Sequence, residues 1–450
     1  MEKHTLIRGN VVKGLLLFVL PILAGSLIQQ LYVTVDSIVV GQFTGQLGLA
    51  AIDSVHTLFK FPLNFMNGLA AGATILISGY FGGGKEEELN CSIRTACTVA
   101  MLLGLVCSVG GVLLTPWMLR LMSVPEEIWD RAGTYTRIYF GGIWSMVLYN
   151  MAAGILRAHG DSKRPLYALV CCAGINILGD LLLVGVLQMG VAGAAIATVF
   201  SQIVSVVLTF SMLQRNLGKK REKPLWVPHF CGEHMAQMLK TGFPLALQAM
   251  LFPIANSIVQ AGVNTMGTAQ IAAWGICDKE DMLIWLLADS MGPALTTFTA
   301  QNLGAGNRER IKTGVLAGTL LSVGAVAAVS AVLFFFAGSI TAWFVSARDA
   351  AVLAPLVAEY TRIMAPFFLF YAIAEALSGA CCGTGNTVKP MVTTLVTICL
   401  TRVVGILLVL PRFETMRCIV WIYIASWIAA GLAFIALWMK DLAGLAKKAE

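Results

Sequence analysis

Long stretches without any charged residue are the feature that most limits what this chain can fold into. Residues 95–119, 138–156, 190–213, 313–345 and 418–439 contain no Asp, Glu, Lys or Arg. Each stretch is near or above the roughly 17–25 residues that a helix needs to cross the hydrocarbon core of a bilayer. These stretches therefore predict transmembrane helices.

Composition supports a membrane protein along the whole chain. Of 450 residues, 58% are hydrophobic and 12% are charged, whereas soluble domains are about half apolar and a quarter charged. Adding the segments that one or a few charges interrupt gives twelve predicted spans, roughly 14–40, 47–80, 95–119, 134–156, 165–187, 190–214, 236–264, 268–302, 313–337, 355–381, 389–410 and 417–440. The first apolar run is too long for a signal-peptide core, and we expect it to be a retained helix. The predicted fold class is an all-α polytopic membrane protein.

The positive charges lie mainly between the predicted spans. When the loops are assigned alternately to the two sides of the membrane, most lysines and arginines fall on the side that holds both termini. By the positive-inside rule, both termini are predicted to be cytoplasmic. The net charge of +7 therefore reflects membrane topology and does not indicate nucleic-acid binding.

An internal duplication divides the chain. YTRI at residues 135–138 returns at 360–363, and GILRAHGDSKRP at 154–165 returns at the same offset as GACCGTGNTVKP at 379–390. A hydrophilic stretch separates six predicted spans from six, which gives an N-terminal six-helix lobe at 1–214, a cytoplasmic linker at 215–235 and a C-terminal six-helix lobe at 236–450. An even number of spans per repeat predicts parallel lobes related by a pseudo-twofold axis along the membrane normal. Paired bundles of this kind are typical of alternating-access carriers. A channel built from two fused halves stays open as an alternative, although no filter-like carbonyl loop is visible.

Motifs for enzymatic chemistry are not found. GYFGGGKE at 79–86 resembles a phosphate loop, but Glu86 replaces the hydroxyl residue that would hold magnesium and the stretch follows a membrane helix. The five histidines and eleven cysteines are expected to form no ligand cluster, and most cysteines are interpreted as small apolar residues. We therefore predict no enzymatic activity, no metal site beyond a possible sodium ion, and no cofactor.

Two acidic residues stand out within the first lobe. Asp36 lies in the first span, and Asp180 lies in the fifth, four residues after Asn176 on the same helical face. Asn150 in the fourth span and Thr198 in the sixth could complete an oxygen-lined pocket. No lysine or arginine lies deep enough in these spans to pair with the acids, and two carboxylates in an apolar pocket raise the proton affinity of at least one of them. The same oxygens would suit sodium, so the coupling ion is either a proton or sodium. Pairing with other bases, or a place at a watery helix end, is the structural alternative.

A second polar set occurs in the second and eighth spans and in the tenth. Because exposure of charges to lipid is costly, we expect this set to line a water-filled substrate cleft or to form an ion-pair network. Its members are Asp53, His56, Lys60, Asp278, Lys279, Glu280, Asp281, Asp289 and Glu375, of which Lys60, Asp278, Lys279, Glu280, Asp289 and Glu375 are the candidate cleft residues.

These motifs together resemble those of the multidrug and toxic compound extrusion (MATE) transporters, bacterial type. The resemblance runs through VDSIVVGQ, GLAAGATILISGYFGGG, RAHGDSKRP, NILGD and ALTTFTAQNLGAG, and so covers essentially the whole chain. It implies twelve helices in two lobes and export of cationic or amphipathic compounds in exchange for protons or sodium. It also implies that Asp36, Asn176 and Asp180 form the cation site, with Asn150 and Thr198 as further members. Asp53, Lys60 and Asp289 depart from the usually neutral second and eighth helices of the family.

The predicted function is therefore secondary antiport of small molecules across the plasma (inner) membrane. A flippase of lipid-linked precursors is the alternative, but acids outnumber bases in the second and eighth spans, which favours cationic cargo. A receptor without transport is a weaker option. The expected partners are a small-molecule substrate and the lipid bilayer, with no nucleic acid, and the chain is expected to be a monomer.

Overall fold

The computed structural model describes residues 5–217 and 227–447, which are almost entirely helical and include no β-strand. Of the predicted linker, 215–235, residues 218–226 lie outside the described residues, as do residues 1–4 and 448–450.

Five long helices make up the described part of the first half. They are α1 (Val11–Gly82), α2 (Glu86–Leu121), α3 (Glu126–Ala158), α4 (Lys163–Asp180) and α5 (Gly190–Leu217). A π-helical segment, Leu181–Val186, follows α4 directly.

The second half is broken into more pieces. Its helices are α6 (Gly232–Asn264), α7 (Thr268–Gly304), α8 (Arg308–Thr341), α9 (Ala347–Met364), α10 (Phe368–Gly383), α11 (Val388–Thr394), α12 (Thr401–Val404), α13 (Leu410–Phe413) and α14 (Met416–Lys447). A 3₁₀ turn, Ala365–Phe367, joins α9 to α10, and the π-helical segments Leu395–Leu400 and Gly405–Val409 join α11, α12 and α13 into one continuous run.

Ten of the helical segments in the described residues are long and apolar enough to cross a membrane. α1 is 72 residues long and contains a non-helical residue, Gly45 (φ 68°, ψ −169°), between the predicted spans 14–40 and 47–80. At about 1.5 Å per residue, α1 is several times longer than the hydrocarbon is thick, so it has room for both spans. The predicted eighth span lies in α7, which is not among the ten. Twelve spans therefore stays a prediction.

The chain forms two compact units whose boundary falls inside α6. Of the described residues, the first unit contains Thr5, 17–217 and 227–246, and the second contains 6–16 and 247–447. The core of the first unit has one cluster around Ile77 and Ile155 and another around Phe59 and Phe140. The core of the second unit surrounds Trp427.

Close helix contacts in the first unit depend on glycine. A Cβ atom added at Gly72 would lie 2.3 Å from the Cα atom of Gly242, and one added at Gly68 would lie 2.3 Å from the Cα atom of Ala246. Small residues at such positions let helices in a membrane approach backbone to backbone. The first half of α6 is therefore packed against the second half of α1 within the first unit.

A short N-terminal segment, residues 6–16, belongs to the second unit. The Arg310 guanidinium donates hydrogen bonds to the backbone carbonyls of Leu6, Arg8 and Gly9 at 3.0, 3.1 and 2.8 Å. The Asn302 amide also donates to the Leu6 carbonyl, at 3.2 Å. This segment is therefore held by α7 and the start of α8.

The duplicated loops adopt the same backbone conformation. Gly160 and Gly385, the matched glycines of GDSKRP and GNTVKP, have φ values of 78° and 87°, which L side chains rarely adopt. In the first loop the Asp161 carboxylate accepts hydrogen bonds from the backbone N–H groups of Lys163 and Arg164 at 3.2 and 3.1 Å. This loop therefore caps the start of α4.

Candidate functional site

Asp36 and Asp180 lie together inside the first unit. Asp36 comes from α1 and Asp180 is the last residue of α4, and their carboxyl groups lie within electrostatic reach of each other. Asp180 has no solvent exposure, and no lysine or arginine of the described residues acts on either acid. One Asp36 oxygen and both Asp180 oxygens are buried without a hydrogen-bond partner among those residues. Buried carboxylates without partners are costly, so this pair needs a proton or a metal cation to be stable in an apolar interior.

Asn176 and Thr198 extend the acid pair. The Asn176 amide nitrogen donates to the Thr198 hydroxyl at 3.4 Å, and that hydroxyl donates to the Ala194 carbonyl at 3.0 Å. In the part of the chain that the structure describes, the Asn176 side-chain oxygen is buried without a partner, one helical turn before Asp180. The unpartnered oxygens of Asp36, Asn176 and Asp180 therefore form one group, which we call the acid site.

Asn150, the fifth candidate for cation binding, is not joined to the acid site. It lies half-buried on α3, and its side chain makes no hydrogen bond within the described part of the chain.

Three tyrosines lie around the acid site, and the sequence analysis did not predict them as site residues. Tyr32, Tyr135 and Tyr139 all lie within electrostatic reach of Asp36. The rings of Tyr135 and Tyr139 are stacked with centroids 5.9 Å apart, and the Phe59 ring lies 4.1 Å from that of Tyr139. The sequence feature that could have indicated Tyr135 and Tyr139 is the aromatic-rich segment YTRIYF at 135–140. Its first four residues also occur in the repeat.

The backbone changes its helical pitch at the acid site. α4 ends as an α-helix at Asp180, and the π-helical segment Leu181–Val186 begins at the next residue. In the second half, the position that the repeat matches to Asp180 is Gly405, which begins another π-helical segment. π-Helical turns are rare and frequently occur at functional sites.

A cavity of about 230 Å³ lies inside the second unit. Three acids and six aromatic rings, one of them that of Phe252, form most of its wall. The acids and the other five aromatic residues are Asp278, Asp281, Asp289, Trp274, Trp285, Tyr371, Tyr423 and Trp427. The ring centroids of Trp285 and Tyr371 are 4.7 Å apart, and those of Tyr423 and Trp427 are 5.7 Å apart. Acidic groups among aromatic faces suit an organic cation. We call this cavity the aromatic cavity.

Two acids at or next to the aromatic cavity, Asp289 and Glu280, have hydroxyl partners, whereas one oxygen of Asp281 and one of Glu280 are buried without a partner among the described residues. The Tyr371 hydroxyl donates to an Asp289 oxygen at 2.7 Å, and the Thr361 hydroxyl donates to a Glu280 oxygen at 3.2 Å. Glu375 lies one turn after Tyr371 on α10 and interacts with Asp289. Four of the candidate cleft residues, Asp278, Glu280, Asp289 and Glu375, are therefore at or next to this cavity.

The two lysine candidates lie elsewhere. The Lys279 ammonium is 5.8 Å from the centroid of the Phe344 ring, outside the cavity wall. Lys60 is exposed on α1 in the first unit.

Arg402 is a buried base that the sequence analysis did not predict as a site residue. It is 1% exposed, and its guanidinium donates to Asn256 at 2.6 Å and to Ser426 at 3.1 Å. It also lies 3.9 Å from the centroid of the Tyr423 ring, in the wall of the aromatic cavity. The sequence feature that could have indicated this residue is that it is a single arginine inside the eleventh predicted span.

The expectation that cysteines and histidines form no ligand cluster is wrong. Cys91, Cys231 and His234 bring their ligand atoms within 4.8 Å of one another. Cys231 and His234 are only three residues apart, but Cys91 is far away in sequence. Only the folded chain brings the third group to them.

Comparisons with known proteins agree with this architecture. The family model described as MatE matches residues 21–182 and 244–408. The probable multidrug resistance protein YoeA of Bacillus subtilis (strain 168) is 29% identical over 398 residues, which cover 86% of this chain and 84% of that protein. The probable multidrug resistance protein YpnP of the same organism is 29% identical over 400 residues, covering 88% of each.

A solved structure of a multidrug resistance MATE family transporter of the MOP superfamily, in an outward-facing conformation, also has this fold. It covers 99% of each chain at 22% identity with a TM-score of 0.90. The predicted all-α membrane fold is thereby confirmed, and so is the resemblance drawn from the motifs. Because the MatE model matches a long block in each half and most of the sequence overall, the chain belongs to the MatE family of transporters.

Proposed function

We propose that this protein exports cationic or amphipathic small molecules in exchange for a proton or a sodium ion that binds at the acid site. The observation that carries this proposal is the pair Asp36 and Asp180, which lie within electrostatic reach of each other. Among the described residues, the pair has no basic partner and has buried oxygens without hydrogen-bond partners. The chain is a multi-pass membrane transporter by family. We further propose that it acts as a monomer in the plasma membrane with both termini in the cytoplasm, and that it is not an enzyme.

The acid site supports coupling because its charge is costly when no cation is bound. An acidic residue at the membrane centre costs about 2.5–3.5 kcal/mol on insertion scales. A proton or sodium ion removes most of this cost, and the bound and empty forms then favour different arrangements of the protein. Substrate favours one arrangement and the cation the other, so the two sites are linked.

The aromatic cavity supports a cationic cargo. Its volume of about 230 Å³ would take a small organic cation or one end of a larger one. Asp278, Asp281 and Asp289 supply negative charge, while Trp285 and Tyr423 supply aromatic faces. Ligand sites typically combine apolar and aromatic walls with a few polar groups of this kind.

A flippase of lipid-linked precursors would need free positive charge for its anionic headgroup. Among the described residues, Arg402 is the one base in the wall of the cavity, against the three acids Asp278, Asp281 and Asp289. The chemistry of the cavity therefore favours cationic cargo over a pyrophosphate.

The decisive experiment measures uptake of a fluorescent organic cation into inside-out vesicles. A pH gradient without sodium and a sodium gradient without a pH difference are applied separately. We expect one of the two gradients to drive accumulation in the wild type and neither to do so in Asp36→Asn. Asp130→Asn, an exposed residue on α3, is the matched control and should transport normally. Accumulation by Asp36→Asn at the wild-type level, or preference for a size-matched organic anion, would contradict the proposal.

A further inference from the structure

The segment just before α6 is attached to α2 by hydrogen bonds from its backbone N–H groups to threonine side chains. The backbone N–H of His229 donates to the Thr98 hydroxyl at 3.0 Å, and that of Cys231 donates to the Thr95 hydroxyl at 3.3 Å. Cys91 precedes Thr95 by one helical turn, so it lies on the same face of α2 as the two threonines. The segment HFCGEH, residues 229–234, is therefore laid alongside Cys91.

Three metal-ligating side chains meet where this segment reaches α2, and a fourth, His229, lies beside one of them, Cys91. The Cys231 thiol is 2.8 Å from His234 Nδ1, and the Cys91 thiol is 3.5 Å from His229 Nε2. The ligand atoms of Cys91, Cys231 and His234 all lie within 4.8 Å of one another. All four residues belong to the first unit.

We propose that Cys91, Cys231 and His234, with His229 as the fourth ligand, form a binding site for a zinc ion. Cysteine and histidine are the usual ligands of structural zinc, and the pair Cys231 and His234 has the short sequence spacing common in such sites.

The distances fit a tetrahedral ion. With Zn–S bonds of about 2.3 Å and Zn–N bonds of about 2.0 Å, ligand atoms stand about 3.5–3.8 Å apart. The 3.5 Å between Cys91 and His229 already has this value. However, His229 lies outside the group whose ligand atoms are all within 4.8 Å of one another, so its ring has to move toward the ion. The 2.8 Å between Cys231 and His234 is a hydrogen-bond distance, so these two atoms separate by less than about 1 Å when the ion replaces the proton between them.

The surroundings favour a cation and hold the ligands in place. Glu88 and Glu233 both lie within electrostatic reach of Tyr80, as do Cys91 and Cys231. The Tyr80 ring lies 5.5 Å from that of His234, and its hydroxyl donates to Gln237 on α6 at 3.1 Å. A bound ion would therefore join α2 to the start of α6 at a place where the ring contact and the hydrogen bond of Tyr80 already hold α6.

The site is separate from the machinery of transport described above. The acid site and the wall of the aromatic cavity are formed by other residues. On the proposed orientation the zinc site faces the cytoplasm, where thiols are kept reduced and available to zinc.

The test uses the full-length protein, purified in detergent with a reductant and stripped with a chelator. Zinc is then titrated against a chromogenic chelator. We expect one zinc ion per chain in the wild type. The variants Cys91→Ala and His234→Ala should each lose more affinity than the about 10–100-fold that removal of an outer-shell partner costs. Cys107→Ala, a half-buried cysteine elsewhere on α2, should bind like the wild type.

Two further measurements separate zinc ligation by these residues from non-specific binding and from disulfide formation. Cobalt in place of zinc should give a thiolate-to-metal charge-transfer band that is absent in Cys91→Ala, and zinc should raise the unfolding temperature of the wild type but not of that variant. Wild-type affinity in His229→Ala would overturn the assignment of the fourth ligand. Absence of saturable binding, equal binding by Cys91→Ala, or conversion of Cys91 and Cys231 into a disulfide under the same reducing conditions would overturn the site.

Discussion

In the first unit, Asp36 and Asp180 lie within electrostatic reach of each other and have buried oxygens without hydrogen-bond partners among the described residues. In the second unit, Asp289 and Glu280 accept hydrogen bonds from Tyr371 and Thr361. The first arrangement leaves the charge for an exchangeable cation to neutralise, whereas the second satisfies part of each carboxylate with the protein itself. The difference teaches that an acid in a membrane helix is a candidate for ion coupling when it lacks hydrogen-bond donors. When such donors are present, the acid is a candidate for cargo binding or for a structural role.

The largest expected effect separates transport from stability in the acid site. Asp180→Asn should reduce gradient-driven accumulation by at least about 100-fold, which corresponds to about 2.7 kcal/mol. It should leave the unfolding temperature unchanged or higher, because it removes a costly buried charge. Uptake into vesicles and thermal unfolding in detergent measure the two quantities on the same preparation. A variant that unfolds early would place Asp180 with the structural acids and remove the contrast between the units.

Arg402 should show the opposite pattern. Arg402→Met keeps much of the volume but leaves Asn256 without its donor and removes the contact with the Tyr423 ring, so it should destabilise the protein by about 1–3 kcal/mol. Arg417→Met, which breaks an exposed ion pair with Glu359, should change stability by less than about 1 kcal/mol. Denaturant unfolding of both variants tests this expectation. Equal stability of the two would mean that the buried guanidinium is not structural.

The two asparagine candidates of the first unit give a sharper test. Asn176→Ala removes an unpartnered oxygen next to Asp180 and should weaken the dependence of transport on the driving cation by about tenfold, equivalent to about 1.4 kcal/mol. Asn150→Ala should change it by less than about twofold, because the Asn150 side chain makes no hydrogen bond in the described residues. Cation dependence of initial uptake rates compares them directly. If both variants lost the same amount, Asn150 would belong to the acid site after all.

The smallest expected effect concerns Tyr371. Tyr371→Phe removes the donor to Asp289 and should weaken cargo binding by about threefold to tenfold, since a single hydrogen bond contributes about 0.5–1.5 kcal/mol. Tyr167→Phe, on the exposed surface of α4, is the control. Equilibrium binding of a fluorescent organic cation measures the change. Unaltered affinity in Tyr371→Phe would mean that the aromatic cavity does not hold the cargo.

The sequence predicted the helices well because membrane spans depend on local composition. It also led to Asp36 and Asp180, because a charge in an apolar run is visible without knowing the fold. It also predicted a break between the spans 14–40 and 47–80, where two helices meet at a kink at the non-helical Gly45. It did not predict that both helices extend to this residue, because the exact ends of helices depend on packing as well as on local sequence. Arg402 was missed for a similar reason: its partners Asn256 and Ser426 come from different helices.

The group formed by Cys91, Cys231 and His234 shows most clearly what the sequence alone does not reveal. Cys231 and His234 have a short local spacing, but the third ligand comes from a helix synthesised much earlier. Pairing across such a distance is set by the packing of α6 on α1 and α2. Without the fold, each cysteine looks like a small apolar residue.

The exchange of short segments between the two halves has a consequence for biogenesis. The first unit includes the opening half of α6, up to residue 246, so it cannot be complete when the first five helices have left the ribosome. Conversely, residues 6–16 are made first but find Asn302 and Arg310 only after α7 and the start of α8 have been synthesised. Each unit therefore waits for residues encoded in the other half of the gene. Ribosome release before residue 246 should leave an N-terminal fragment with the Gly68 and Gly72 surface uncovered.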